Sequence, residues 1–316
     1  MAITKPTTHN NTHKQKHLHE VKYTQLYGTG VALVTPFTAS GTVDYESLTK
    51  LINYVIISGV QYVVSLGTTG EASTLTTAEK IEILNHTYNI IANRVPVVVG
   101  IGGASTQQVL ADIQTLPLHG AAAILSVSPY YNKPSQQGIY AHYVAIAKAS
   151  ELPIILYNVP SRTGRSMEVA TTLSLANACS NIIGIKEASD NMEHCLNLVA
   201  QAPKGFAVLS GDDALAPAQI ALGFKGVISV IANYYAADYN LLIQHCLAYN
   251  YAAVQPMLYK LLPAISLCFA ENNPAGIKEF LQLNNICHNY CRLPVIPVTA
   301  ATSAAIIHFN TTYDVS

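Results

Sequence analysis

The sequence predicts a (β/α)8 TIM barrel with a C-terminal helical extension. Short β-branched or apolar runs recur eight times, amphipathic stretches fill the intervals, and the strand signal fades after about residue 250. A doubly wound sheet usually stops at five or six strands, so eight alternations favour a sheet closed on itself.

The elements follow in order. Residues 1–22 are polar and rich in His, Thr and Asn, and they read as a disordered tail. They hold no apolar run for a signal peptide and no arginine for a presequence, the first in the chain being Arg94, so a cytoplasmic protein is expected. The strand runs are 31–35, 61–66, 96–101, 122–127, 153–157, 182–186, 206–210 and 227–230, each bounded by Gly, Pro, Asn or Ser. Between them the apolar spacing predicts helices such as 45–57, 78–92, 136–149 and 192–202. Thr76 and Glu79 have capping-box spacing at the start of the second. Residues 23–249 therefore form the barrel. Residues 250–316 form a helical domain with segments 251–262, 275–284 and 300–308, punctuated by Pro263, Pro274, Pro294 and Pro297.

Composition removes several function classes. Half of the 316 residues are hydrophobic and 11% are charged, against roughly 25% charged in ordinary soluble domains. Disordered chains have the opposite balance. Seventeen Lys+Arg face 18 Asp+Glu with no basic block, which argues against nucleic acid. No window holds ~18 consecutive apolar residues, so no membrane span is expected. The six cysteines fall at irregular spacings and read as free buried thiols. Cys287 and Cys291 have the spacing of core positions on a helix, and no second pair completes a zinc site.

In such a barrel chemistry belongs where strands end and βα loops begin. Lys186 ends the sixth run, where a lysine is directed into the barrel mouth and burial favours the neutral, nucleophilic amine. The competing reading is an ion pair with Glu71 or Glu187. After the second run comes Gly67-Thr68-Thr69-Gly70-Glu71, whose backbone N–H groups suit a small carboxylate; it lacks the Lys-Ser/Thr ending of a P-loop. Tyr131 and Tyr157 end neighbouring runs, and with Thr68 they have the hydroxyls for a proton relay, although packing is the commoner use of tyrosine. Arg162 suits a bidentate grip on a carboxylate, with a surface ion pair as the alternative. Asp212-Asp213 reads as a helix cap rather than a metal site. Gly100-x-Gly102-Gly103 lacks the further glycine of a dinucleotide loop.

Taken together, GTTGE at 67–71, SPYYNKPSQQG at 128–138, ILYNVPSRTG at 155–164, GIKEAS at 184–189, SGDD at 210–213 and GVISV at 226–230 resemble the dihydrodipicolinate synthase family of the N-acetylneuraminate lyase superfamily. The likeness runs from Gly28 to Asn233 and returns at 273–278 and 292–294. It implies that Lys186 forms a Schiff base with pyruvate, and that the resulting enamine attacks aspartate 4-semialdehyde on the diaminopimelate route to lysine. It further implies a relay of Tyr157, Thr68 and Tyr131, the last from a neighbouring subunit of a homotetramer built as a dimer of dimers. Thr69, Ile228 and Gly211 would line the pyruvate site and Arg162 would receive the semialdehyde carboxylate, with no metal or organic cofactor. Sugar-acid aldolases share the lysine and the Gly/Thr turn but not typically the Ser-Arg-Thr-Gly run at 161–164; a non-catalytic relative should have lost the lysine or a tyrosine. Where lysine-inhibited relatives carry a His, an Asn and a Glu beside a Tyr, this chain has Lys80, Ala104, Gln108 and Tyr130, which implies weak lysine inhibition.

Overall fold

A computed structural model describes residues 23–313, so the expected tail lies outside the described residues. Eight parallel strands close into a barrel, each bonded to the next in chain order and β8 returning to β1. They are β1 (Gly28–Ala32), β2 (Tyr62–Ser65), β3 (Val97–Gly100), β4 (Ala123–Val127), β5 (Ile154–Asn158), β6 (Ile182–Glu187), β7 (Ala207–Ser210) and β8 (Gly226–Ser229). Helices α1 (Tyr45–Ile57), α2 (Thr77–Ile91), α3 (Thr106–Thr115) and α4 (Gln136–Ala149) follow the first four strands. After β5 come the short α5 (Pro160–Thr163) and α6 (Val169–Ala178), and then α7 (Met192–Gln201), α8 (Ala216–Ala221) and α9 (Ala236–Leu247). The extension is α10 (Tyr251–Phe269), α11 (Ala275–Leu283) and α12 (Ala300–Tyr313).

Alternation along the strands divides the core in two. Tyr62, Val64, Val98, Leu125, Ile155 and Leu209 pack in the interior, while Val63, Val97, Val99, Ile124, Ile154 and Leu156 pack toward the helices. Local signals set the helix ends. The Thr76–Glu79 capping box opens α2 as expected, and Asp44 and Ser135 cap α1 and α4 by accepting from backbone N–H groups.

Three elements depart from the sequence reading, one of them α12, which runs to Tyr313 past the expected end at 308. The first strand starts at Gly28, three residues before the expected 31–35. Its glycines hide strand character from a propensity argument, yet a Cβ at Gly30 would lie 2.2 Å from the ring of Tyr62, which occupies the barrel floor. The third is α10, which continues past the expected end at 262 and contains both Pro256 and Pro263. The two prolines are seven residues apart on the exposed face, so the carbonyls they leave unpaired meet water. Burial of Leu261, Ala264, Ile265 and Cys268 on the other face outweighs the loss. By length and composition alone this 19-residue helix would cross a membrane. Its buried side packs against α9, α11 and α12.

The extension is fastened to the barrel by charge. Lys278 on α11 donates to Glu71, at the end of the turn after β2, over 2.5 Å, with both side chains almost wholly buried. Lys278 also donates to Tyr290 O, and Glu71 accepts from the backbone N–H of Arg292. The Arg292 guanidinium reaches Gly41 O and both carboxylate oxygens of Glu79, and holds the Glu79 carboxyl down at about 2. Phe37 lies beneath both cations, 4.3 Å from Lys278 Nζ and 4.4 Å from the guanidinium carbon. Glu71 is thus committed to Lys278 and is not the partner of Lys186 that the sequence allowed.

Removing one member of a buried pair strands the other charge, so Lys278→Met should destabilise the fold by about 3–5 kcal/mol. Adding Glu71→Gln to that variant should recover part of the loss. Urea unfolding of the single and double variants is the measurement, and equal stabilities for Lys278→Met and the parent would refute the assignment.

Candidate active site

The site begins with the phase of β6. Ile182 pairs with Ile154, but Gly184 pairs with Ile155, so one residue of β6 is extra. Without it, strict alternation would put Ile182 outside, Ile183 inside and Lys186 outside. In the structure Ile182 and Ile185 both pack in the outer layer and Ile183 in the interior, so the bulge at Ile183–Gly184 turns Lys186 inward. Gly184 makes this possible, because a Cβ there would lie 2.4 Å from Ala207 O.

Lys186 is only 5% exposed and sits opposite Tyr157 on β5, with its Nζ 4.4 Å from the ring centroid. Among the described residues it has no carboxylate partner. Glu187 points the other way: it accepts from Asn158 Nδ2, from the Ser189 N–H and lies 3.2 Å from His194 Nε2. Both carboxylates that competed for the lysine are therefore engaged elsewhere. Gly211 is against the Lys186 stem, since a Cβ there would come within 2.8 Å of Lys186 Cε. Ile228 is buried in the barrel interior beneath the mouth.

The mouth opens into a cavity of about 630 Å³ that brings together Lys186, Tyr157, Thr68, Thr69 and Arg162. Leu66 enters the Gly/Thr turn at φ 59, a conformation that costs a branched side chain energy and marks a built feature. Inside the turn Gly70 N–H donates to Gly67 O and Glu71 N–H to Thr68 O, leaving the Thr68 and Thr69 N–H groups uncommitted to those bonds. Thr35 Oγ1 donates to Gly70 O and fixes the turn from β1's side. Arg162, on α5, is exposed in the cavity and forms no ion pair with the described residues.

Tyr131 is not brought to this group. It stands 90% exposed at φ 74 and does not line the cavity, so one chain does not assemble the expected relay of three hydroxyls. The same cavity is also lined by Lys80 of α2, by Ala104, by Gln108 and Asp112 of α3, and by Tyr130.

The other candidates resolve into structural roles. Asp212 accepts from the N–H groups of Ala214 and Leu215 ahead of α8, whereas Asp213 accepts from Val230 and Ile231 at the end of β8. Neither is the helix cap the sequence suggested, because the N-cap position of α8 is Leu215 without a side-chain cap and Asp212 closes the turn before it. Burial pushes the Cys195 thiol to about 11 and Cys287 to about 12. Cys287 and Cys291 lie after α11 rather than on a helix, and the described residues contain no group of three His, Cys, Asp or Glu able to hold a metal. The sequence reading gave no role to Gly184, Asn273 or Lys278, although all three lie in segments that carry the family likeness. The glycine beside the lysine was a local signal for the first; the other two act across 204 and 207 residues.

A model of the Dihydrodipicolinate synthetase family matches residues 25–308. The chain is 47% identical over 283 residues to the 4-hydroxy-tetrahydrodipicolinate synthase of Porphyromonas gingivalis, covering 89% of this chain and 95% of that protein. It is 44% identical to the synthase of the same name from Azobacteroides pseudotrichonymphae, over 90% of this chain and 98% of that one. Among solved structures, a dihydrodipicolinate synthase from Acinetobacter baumannii complexed with pyruvate superposes with a TM-score of 0.88 at 35% identity, covering 92% and 99% of the two chains.

The bulge gives a direct test. Gly184→Ala places a methyl group against a backbone carbonyl, so it should cost about 1–3 kcal/mol and displace Lys186 from the mouth. Urea unfolding and mass-spectrometric labelling of Lys186 with an amine reagent are the measurements. Parent-like stability with parent-like labelling would show that the strand does not depend on this glycine.

Proposed function

The chain belongs to the dihydrodipicolinate synthetase family, and we propose that it condenses pyruvate with aspartate 4-semialdehyde through a Schiff base on Lys186. The observation that carries this reading is the inward, buried lysine with no carboxylate partner among the described residues, facing Tyr157 and opening on a cavity that also holds Thr69 and Arg162. An unpaired amine in such a place can add to a ketone; a paired one cannot without breaking its ion pair.

The steps follow from the groups present. The neutral amine of Lys186 adds to the C2 carbonyl of pyruvate, Tyr157 gives a proton to the carbinol oxygen and becomes the phenolate, and water leaves, giving a protonated imine. That cation draws electrons from the methyl group, whose proton passes to a base held at Tyr157. The enamine carbon attacks the aldehyde of the semialdehyde, and Tyr157 returns a proton to the new alkoxide. The semialdehyde's own amine then attacks the imine carbon, closes the ring and releases Lys186. In this reading Thr69, with the N–H groups of the Gly/Thr turn, holds the pyruvate carboxylate. Ile228 floors the site, Gly211 leaves room for the lysine stem, and Arg162 receives the second carboxylate. Thr68 continues the proton path outward from Tyr157.

In this reading Tyr131 completes the relay of a neighbouring copy, because its exposed side chain stands outside its own cavity. The active form is then a dimer at least, and a homotetramer in the full assembly. The reaction needs no metal and no organic cofactor, and the setting is cytoplasmic.

Borohydride added with pyruvate should fix a covalent adduct on Lys186, located by peptide mapping. An adduct on Lys50 or Lys133 instead, or none, would remove the mechanism. Lys186→Arg should abolish trapping, since a guanidinium stays protonated.

Arg162→Ala should raise KM for the semialdehyde far more than for pyruvate, by on the order of 2 kcal/mol or roughly thirtyfold. Steady-state kinetics with each substrate varied decides this. Equal losses for both, or a parent preference for N-acetylmannosamine as acceptor, would favour a sugar-acid lyase.

A further inference from the structure

Thr69 is 2% exposed, lines the cavity beside Lys186, and has one hydroxyl proton to give. Where that proton points depends on what else the oxygen binds. Asn273, 5% exposed in the segment leading into α11, sends its Nδ2 to Thr69 Oγ1 over 3.0 Å. An amide NH2 only donates, so it occupies a lone pair of the threonine and leaves the proton free for another acceptor. The Asn273 carbonyl oxygen is buried and has no hydrogen-bond partner among the described residues. Nearby, the Lys278–Glu71 bond fixes α11 to the turn that carries Thr69.

We propose that Asn273 is a positioning residue. By donating to the Thr69 hydroxyl it directs the threonine proton toward the carboxylate of the first substrate, so the C-terminal extension orients a group in the barrel mouth. This rests on the reading that Thr69 holds the pyruvate carboxylate. With the opposite orientation of the amide, its oxygen would accept the threonine proton and withhold it from substrate.

Asn273→Asp keeps the size but presents only acceptors, which capture the Thr69 proton. Its KM for pyruvate should rise roughly tenfold, the scale of a lost hydrogen bond to a charged group, with KM for the semialdehyde unchanged. Asn273→Ala, which leaves the hydroxyl free to rotate, should raise it only about threefold. Thr69→Val completes a double-mutant cycle that separates an effect through Thr69 from simple repulsion by the new carboxylate. In the Thr69→Val background, Asn273→Asp and Asn273→Ala should add no further increase in pyruvate KM. Additive effects would overturn the proposal, as would a pyruvate KM in Asn273→Ala equal to that of the parent or above that of Asn273→Asp. Should Asn273→Asp fail to fold, the Asn273→Ala arm of the cycle gives the same decision. If Thr69→Val alone leaves pyruvate KM unchanged, the carboxylate reading itself fails; if Thr69→Val raises it and both Asn273 variants do not, only the role of Asn273 fails.

Discussion

Lys186 enters the barrel because β6 carries one residue more than its neighbour requires. Alternation along a strand is strict, so an uninterrupted β6 would have turned the lysine toward the helices and Ile185 toward the mouth. The extra residue reverses that phase within two positions, and a glycine absorbs it where the β7 carbonyl passes closest. The remaining parts of the site are arranged around this displacement. Tyr157 is opposite the lysine, while Asn158 and Glu187, the next residues on the same two strands, bond to each other on the outer side. The outward pair fixes the register of the inward one.

A second constraint comes from the far end of the chain. The Gly/Thr turn is strained at Leu66 and ends on a buried carboxylate, neither of which is favourable in an isolated loop. Lys278 neutralises the carboxylate, the Arg292 backbone bonds its second oxygen, and Asn273 reaches the threonine between them. The helical extension therefore braces the Gly/Thr turn from outside the barrel. Its division from the barrel at residue 249 describes the order of elements and not two independent energetic units.

Much of this was legible in the sequence. The barrel followed from eight punctuated strand runs, and α1 and α4 have the bounds that their apolar spacing indicated. Lys186, Tyr157, Thr68, Thr69 and Arg162 were visible because each lies at a strand end or in the loop after it, and position in a barrel converts directly into position at the mouth. The failures also have physical causes. Gly30 of β1 has no strand propensity but is required by the volume of Tyr62, which belongs to another strand. Pro263 suggested a helix end because its cost is local, while the burial that overrides it is tertiary. Asn273 and Lys278 look like ordinary polar residues of a helix start, and only contacts made more than 200 residues away give them meaning.

The Glu71–Lys278 bond has a further consequence for the chain as it is synthesised. The turn that carries Glu71 leaves the ribosome early, and its cation follows 207 residues later. During that interval the carboxylate can be satisfied only by water, so the turn cannot take its buried form even if the preceding strands have paired. Chains interrupted before α11 would be left with a hydrated, open mouth and exposed apolar surface around it. A quality-control protease would meet such fragments in a state that complete chains pass through only once.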